Sequence, residues 1–348
     1  MTTLRYKLLG RSGLRVSELC LGTMTFGDDW GWGAPPAEAR RQFELFRSAG
    51  GNFIDTANGY TNGSSERILG ELLEADRAGV VLATKYTVAW RPGDPNGAGN
   101  HRKNMVQSVE ASLKRLKTDY IDLLWLHAWD DTTPPAEVMR ALDDLVRAGK
   151  VLHVGVSDTP AWVVSHANTL AELRGWSPFV ALQIEYSLLQ RTVERELTPM
   201  AQAFDLAVCP WGAVGGGVLT GKYTRGDAPD AKRDTTVRRS ERNLGIARAV
   251  DAVADALGTT STRVAIAWLQ HRAGTVIPIV GARTAAQLED ALGAAELALP
   301  ADAVAKLDAA SAIELGFPHD FLRGDYIRKV IGGDQHARFA FDPRRPRI

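Results

Sequence analysis

An aspartate, a lysine and a histidine close short apolar runs, and a tyrosine follows in a loop. Together these residue types can polarise and protonate a carbonyl. Asp55 ends NFID, Lys85 follows VLAT, His127 follows IDLLWL, and Tyr60 stands five residues beyond Asp55 in the loop NGY. A lysine in a poorly solvated interior requires a counter-charge, which Asp55 supplies. The same ammonium beside a phenol favours the phenolate, so the Tyr60 pKa is expected to fall. These groups lack a nucleophile, so the chemistry they suit is completed by a hydride from a cofactor. A lone Asp at a strand end is usually a cap. Three such ends converging on one mouth mark a site.

The elements that would hold them alternate. Apolar runs at 19–22, 52–55, 80–84, 121–126, 151–156, 180–184, 207–210 and 276–279 are separated by segments of helical period. Continuous apolar runs are buried on both faces, as in a parallel sheet. Helices are expected at 37–49 and 135–148, each before a C-cap glycine, and at 105–116 and 195–204. Eight strands with alternating helices predict a single (β/α)₈ TIM barrel, in which catalytic groups sit at the C-terminal strand ends. YKLLGRSGLRVSE, before the first run, reads as an N-terminal β-hairpin plugging the barrel bottom. One domain is expected over 1–348, with a core at about 19–295 and a C-terminal helical extension and tail over 296–348. About 65 residues separate the last two strands, and the polar stretch 224–239 reads there as a long loop. A helix near 301–310 precedes an arginine-rich tail, read as solvated, that carries Arg344, Arg345 and Arg347.

Composition excludes several classes. Lys plus Arg (41) equals Asp plus Glu (41), which argues against nucleic acid or an anionic membrane as partner. No apolar run reaches the roughly 18–20 residues that span a bilayer. MTTLRYKLLG lacks a signal-peptide h-region, so the expected location is cytoplasmic. Cys20 and Cys209 lie in apolar stretches and read as buried thiols, and the seven histidines form no metal-ligand pattern. The stretch 216–222 fits GxxxxGK, but Tyr223 stands where a P-loop needs Ser or Thr. Trp30, Trp32 and Trp129 read either as loop packing or as an apolar substrate wall, whereas Trp125, Trp268 and His153 read as core or rim.

The chain resembles the aldo-keto reductase superfamily over nearly its whole length. The resemblance is carried by LGTMTFG (21–27), NFIDTANGY (52–60), SSERILGELL (64–73), LATKY (82–86), DYIDLLWLH (119–127), GKVLHVGVSD (149–158), QIEYSLLQR (183–191), WGAVGGGVLTGKY (211–223) and IPIVGARTAAQLEDAL (277–292). It implies a tetrad of Asp55, Tyr60, Lys85 and His127, with Tyr60 protonating the nascent alkoxide, Lys85 tuning it, Asp55 holding Lys85 and His127 orienting the carbonyl. It further implies that Ser157, Asp158 and Gln183 contact the nicotinamide carboxamide and that Trp211 stacks on its ring. Thr23, Met24 and Asp55 would line that pocket, and Gly212 and Lys222 extend it. Gly281, Arg283, Gln287 and Asp290 match the family's adenosine-phosphate segment. The Arg283 guanidinium fork suits a 2′-phosphate, so NADPH is expected rather than NADH. Three departures bear on cofactor affinity: Asp158 stands where Asn is common, Trp211-Gly212-Ala213 replaces aromatic-Ser-Pro, and Ala291 replaces an Asn.

The implied function is NADPH-dependent reduction of an aldehyde, ketone or keto-sugar, with a small-molecule carbonyl substrate and a homo-oligomer left open. The alternative is a cofactor-holding sensor subunit, similar to the potassium-channel β subunits of the same superfamily. A glycosidase using Asp158 and Glu185 leaves Lys85, Tyr60 and Arg283 without roles.

Overall fold

An N-terminal hairpin closes one end of a parallel barrel in the computed structural model, which describes residues 2–226 and 238–338. β1 (Tyr6–Leu8) and β2 (Arg15–Ser17) pair antiparallel with Lys7 opposite Val16. Leu9 and Val16 point into the barrel and pack in one buried cluster with Phe53, Leu123 and Trp125, so the expected plug is present. Gly10 makes this possible. Its φ is +55°, and a Cβ there would stand 2.2 Å from the Val180 carbonyl oxygen.

The barrel strands are β3 (Cys20–Gly22), β4 (Phe53–Asp55), β5 (Val81–Tyr86), β6 (Ile121–Leu126), β7 (Val151–Ser157), β8 (Phe179–Glu185), β9 (Ala207–Trp211) and β10 (Ile279–Val280). They pair in parallel in the order β10-β3-β4-β5-β6-β7-β8-β9. A parallel bridge between Val208 and Val276 joins the two edges. The Val208 N–H donates to Thr275 O and the Ile277 N–H to Val208 O, both at 2.8 Å. The eighth run, expected as one strand over 276–279, is therefore divided. Its first half bonds to β9 and its second to β3, because Pro278 has no N–H to continue the ladder. The Pro278 carbonyl still accepts from Cys20 N at 2.9 Å.

Helices α1 (Pro36–Ser48), α2 (Ser64–Leu73), α3 (Arg102–Leu116), α4 (Pro135–Arg147), α5 (Ala161–Arg174) and α6 (Leu197–Ala203) follow β3 to β8 in turn. Proline at the first turn starts α1 and α4, and left-handed Gly50 (φ +81°) and Gly149 (φ +72°) stop them. The long gap after β9 also holds two helices, α7 (Glu241–Leu257) and α8 (Ser261–Gln270), both beyond the stretch expected as a loop. Most of the expected loop at 224–239 lies outside the described residues, as does the arginine-rich tail beyond 338.

α9 (Ala285–Leu292) completes the ring, and α10 (Ala301–Ala310) occupies the span expected for a helix. Two short helices, α11 (His319–Arg323) and α12 (Asp325–Gly332), follow it within the span expected for the C-terminal helical extension. Inside the barrel Trp125 fills the space left by Gly155, where a Cβ would lie 2.4 Å from the indole. Cys20 and Cys209 are buried in the same interior. Among the described residues no helix is long and apolar enough to cross a membrane.

Candidate active site

The four chemistry-bearing residues meet at the C-terminal ends of adjacent strands. Asp55 ends β4, Lys85 lies one residue before the end of β5, and His127 immediately follows β6. Lys85 is fully buried and uses all three ammonium donors: to Asp55 Oδ2 at 2.5 Å, Thr56 O at 2.8 Å and Tyr60 Oη at 2.9 Å. The other Asp55 oxygen accepts from Gln183 Nε2 at 3.0 Å, a bond across the barrel from β8. A buried charge pair with every group bonded is a fixed scaffold rather than a source of stability.

Tyr60 is held by an unusual backbone. Thr61 (φ +45°), Asn62 (φ +53°) and Gly63 (φ +85°) are successive left-handed residues, and a β-branched residue pays roughly 1–3 kcal/mol there. The turn is secured by Thr61 Oγ1, which donates to Phe26 O at 2.6 Å and accepts from Ser65 N at 3.1 Å. Because the Tyr60 oxygen accepts from Lys85, its own proton is free to be donated outward.

Its electrostatics differ from the expectation. Burial pushes the phenol above the ordinary tyrosine value, and Lys85 offsets this only in part. The net direction is up rather than down, because desolvation outweighs one ammonium that Asp55 already neutralises. Burial alone would lower the Lys85 ammonium, but Asp55 and Tyr60 together hold it above the usual lysine range. The proton therefore resides on the phenol through neutral pH, which is the state a proton donor needs.

The His127 ring meets the Tyr60 ring edge-on, with centroids 5.9 Å apart. Burial, reinforced by Lys85, lowers its pKa to about 3, so the imidazole is neutral at physiological pH. Its Nδ1 is buried and has no partner among the described residues. In an NMR titration the His127 ring resonances are expected to stay constant between about pH 5 and 8; a step near the ordinary histidine value of about 6.5 would contradict this geometry.

Around this centre lie the other residues singled out by sequence. Ser157 ends β7 with its hydroxyl buried and unpartnered among the described residues. Asp158 follows, accessible from the mouth, and accepts from Trp211 Nε1 at 3.2 Å. Met24 is half-buried in the loop after β3, whereas the Thr23 hydroxyl is already bonded to Asp55 O at 3.0 Å and Ser65 Oγ at 2.9 Å. Gly212 turns the chain after β9 with φ +71°, and Lys222 sits beside the Tyr223 ring, 4.8 Å from its centroid.

Gly281 follows β10 and is exposed. The Arg283 N–H donates to Gln287 Oε1 at 3.0 Å, and the Arg283 guanidinium makes no ion pair among the described residues. Asp290 instead ties α9 to α8, pairing with Arg263 at 3.0 Å and accepting from Thr260 at 2.9 Å. Glu185 is ion-paired with Arg238.

The aldo/keto reductase family model matches residues 18–312. The chain belongs to the aldo/keto reductase family. Norsolorinic acid reductase of Aspergillus flavus is 38% identical, aligned over 90% of this chain and 83% of its own length. Aryl-alcohol dehydrogenase (NADP⁺) of Phanerodontia chrysosporium is also 38% identical, over 90% of this chain and 87% of its own. An aryl-alcohol dehydrogenase of Pestalotiopsis microspora is 38% identical over 91% and 85%. This aldo/keto reductase is thus a carbonyl-reducing oxidoreductase of a family that uses nicotinamide cofactors.

Some supporting residues of the reductase site escaped sequence reasoning. Thr87, at φ +105°, accepts from His127 N at 3.3 Å and Asn100 Nδ2 at 2.9 Å, locking the ends of β5 and β6 together. Nothing in the sequence marks Thr87, since its conformation is imposed by its partners. Trp129 is half-buried and packs against the main hydrophobic core, as its loop-packing reading expects.

Proposed function

We propose that the chain is an NADPH-dependent reductase of aromatic aldehydes or ketones, with Tyr60 as the general acid. The observation that carries this is the Asp55–Lys85–Tyr60 chain of hydrogen bonds at 2.5 and 2.9 Å, beside a neutral His127. The residues present fit a nicotinamide cofactor. Ser157 Oγ is a buried hydroxyl without a partner among the described residues, suited to a carboxamide, and Trp211 offers a flat indole nearby. At the far end the Arg283 guanidinium, without an ion pair among the described residues, stands just before α9, where a phosphate gains a bidentate partner.

When bound, the cofactor supplies the hydride. The chain's own residues then handle the oxygen. His127 donates a hydrogen bond that fixes the carbonyl, and Tyr60 gives its proton to the oxygen as negative charge develops. Lys85 stabilises the phenolate left behind, and Asp55 and Thr56 hold Lys85 in register.

Two features support an aromatic substrate. Trp30 and Trp32 lie in the loop after β3 with ring centroids 5.6 Å apart, forming an apolar wall on the mouth side. Relatives carry the name aryl-alcohol dehydrogenase. NADPH oxidation across matched benzaldehyde-type and straight-chain aldehydes tests this. The expected kcat/KM is higher for the aromatic series by about tenfold, the worth of one good aromatic contact. NADPH binding with no oxidation on any carbonyl would instead favour the sensor-subunit function. Arg283→Ala is expected to raise the NADPH KM by roughly tenfold, the worth of one charged hydrogen bond, with kcat and the NADH KM little changed.

A further inference from the structure

We propose that Asp158 makes this site discriminate between the redox states of the nicotinamide cofactor, binding the oxidised form more tightly than a neutral residue there would. The proposal rests on the cofactor assignment above and adds to it a charge that the family's common Asn does not carry.

The position is built to aim a carboxylate at the ligand. Asp158 follows β7 at φ +40°, a conformation that Asp and Asn adopt more readily than other side chains. Its backbone is clamped on both sides: its N–H donates to Gln183 O at 3.3 Å, and its carbonyl accepts from Trp129 N at 3.4 Å. Oδ1 accepts from the Trp211 indole at 3.2 Å, and no other side chain donates to this carboxylate among the described residues. The neighbouring Ser157 hydroxyl is also unpartnered. A hydroxyl and a carboxylate oxygen side by side match the carbonyl and NH₂ of a carboxamide.

The charges facing this corner cancel except for one. From β4 and β5, Asp55 and Lys85 neutralise each other, and Tyr60 beside them keeps its proton. From β6, His127 is neutral. From β8, Glu185 is paired with Arg238, and β9 contributes only the uncharged Trp211. Asp158 has no ion-pair partner among the described residues, so its carboxylate is the uncompensated charge. An oxidised nicotinamide ring carries one positive charge and a reduced ring carries none, so only the oxidised ring gains a counter-ion.

Burial on the barrel side raises the Asp158 carboxyl above its ordinary value, and Glu185 nearby adds to the rise. A cationic ligand pulls that ionisation down again, and by linkage its affinity grows as pH rises until Asp158 is fully charged. The 2′-phosphate is common to both cofactor forms and cancels in the ratio of their dissociation constants.

The test is tryptophan-fluorescence titration of wild type and Asp158→Asn with NADP⁺ and with NADPH, each from pH 5 to 9. In the wild type the ratio of the NADP⁺ Kd to the NADPH Kd is expected to fall with rising pH and then level off. Asp158→Asn is expected to weaken NADP⁺ by about tenfold, change NADPH by less than about threefold, and make the ratio independent of pH. Equal changes in both constants, or a wild-type ratio that is flat with pH and unmoved by the substitution, would overturn the proposal while leaving the cofactor assignment intact. Failure of the wild type to bind either form would overturn both. Asn tolerates the left-handed backbone, and the wild-type pH series needs no variant.

Discussion

Tyr60→Phe is expected to lower kcat for carbonyl reduction by about 10³-fold while NADPH binds as before. The phenol contributes one proton and one acceptor, and its acceptor serves Lys85 at 2.9 Å. Phe keeps the ring against His127 and the left-handed turn at Thr61 and Asn62, so the mouth retains its shape. What disappears is the group that neutralises the developing alkoxide, an interaction made only in the transition state. Loss should therefore appear in kcat and kcat/KM alike, with the cofactor Kd from fluorescence titration unchanged. Turnover by Tyr60→Phe at the wild-type rate would remove Tyr60 from the mechanism.

Lys85→Met is expected to damage both activity and stability. It leaves the Asp55 carboxylate, 2% exposed, bonded to Gln183 but without its ammonium counter-charge. An orphaned buried charge of this kind costs about 3–5 kcal/mol, readable as a lowered denaturation midpoint. The lone carboxyl, disfavoured by burial, would titrate higher in the folded state than in the unfolded chain. The variant should thus gain stability as pH falls and lose it as pH rises through that folded pKa. The double variant Asp55→Asn, Lys85→Met removes both charges and is expected to recover most of the stability but none of the turnover. Recovery of turnover in the double variant would mean that the pair is merely structural.

The strand-end logic made the tetrad visible because buried parallel strands tolerate polar residues only where they emerge. Asp55, Lys85 and His127 each sit within one residue of such an end. The hairpin plug was visible in the same way, as two short runs about a glycine turn. The direction of the Tyr60 shift was not visible, because it depends on how much protein covers the phenol, which residue types do not state. The left-handed Thr61 hid for a related reason: its tertiary bond to Phe26 holds a conformation that local propensity disfavours. Gln183 was read only as a cofactor contact, since nothing local places β8 opposite β4 across the barrel. Trp129 shows the limit of sequence proximity: two residues past His127, it packs against the hydrophobic core, which its place in the sequence does not state. The break at Pro278 is written in the residue itself, which has no N–H to continue a ladder.

The most direct test of the central claim follows the transferred atom. The wild-type protein is incubated with an aromatic aldehyde and NADPH carrying deuterium in place of either C4 hydrogen, and the alcohol is weighed by mass spectrometry. One of the two labelled cofactors should yield an alcohol with a single deuterium on the carbinol carbon, while the hydroxyl proton comes from Tyr60 and exchanges with solvent. Formation of no alcohol, or of alcohol without deuterium from both labelled cofactors, would contradict hydride transfer in this site.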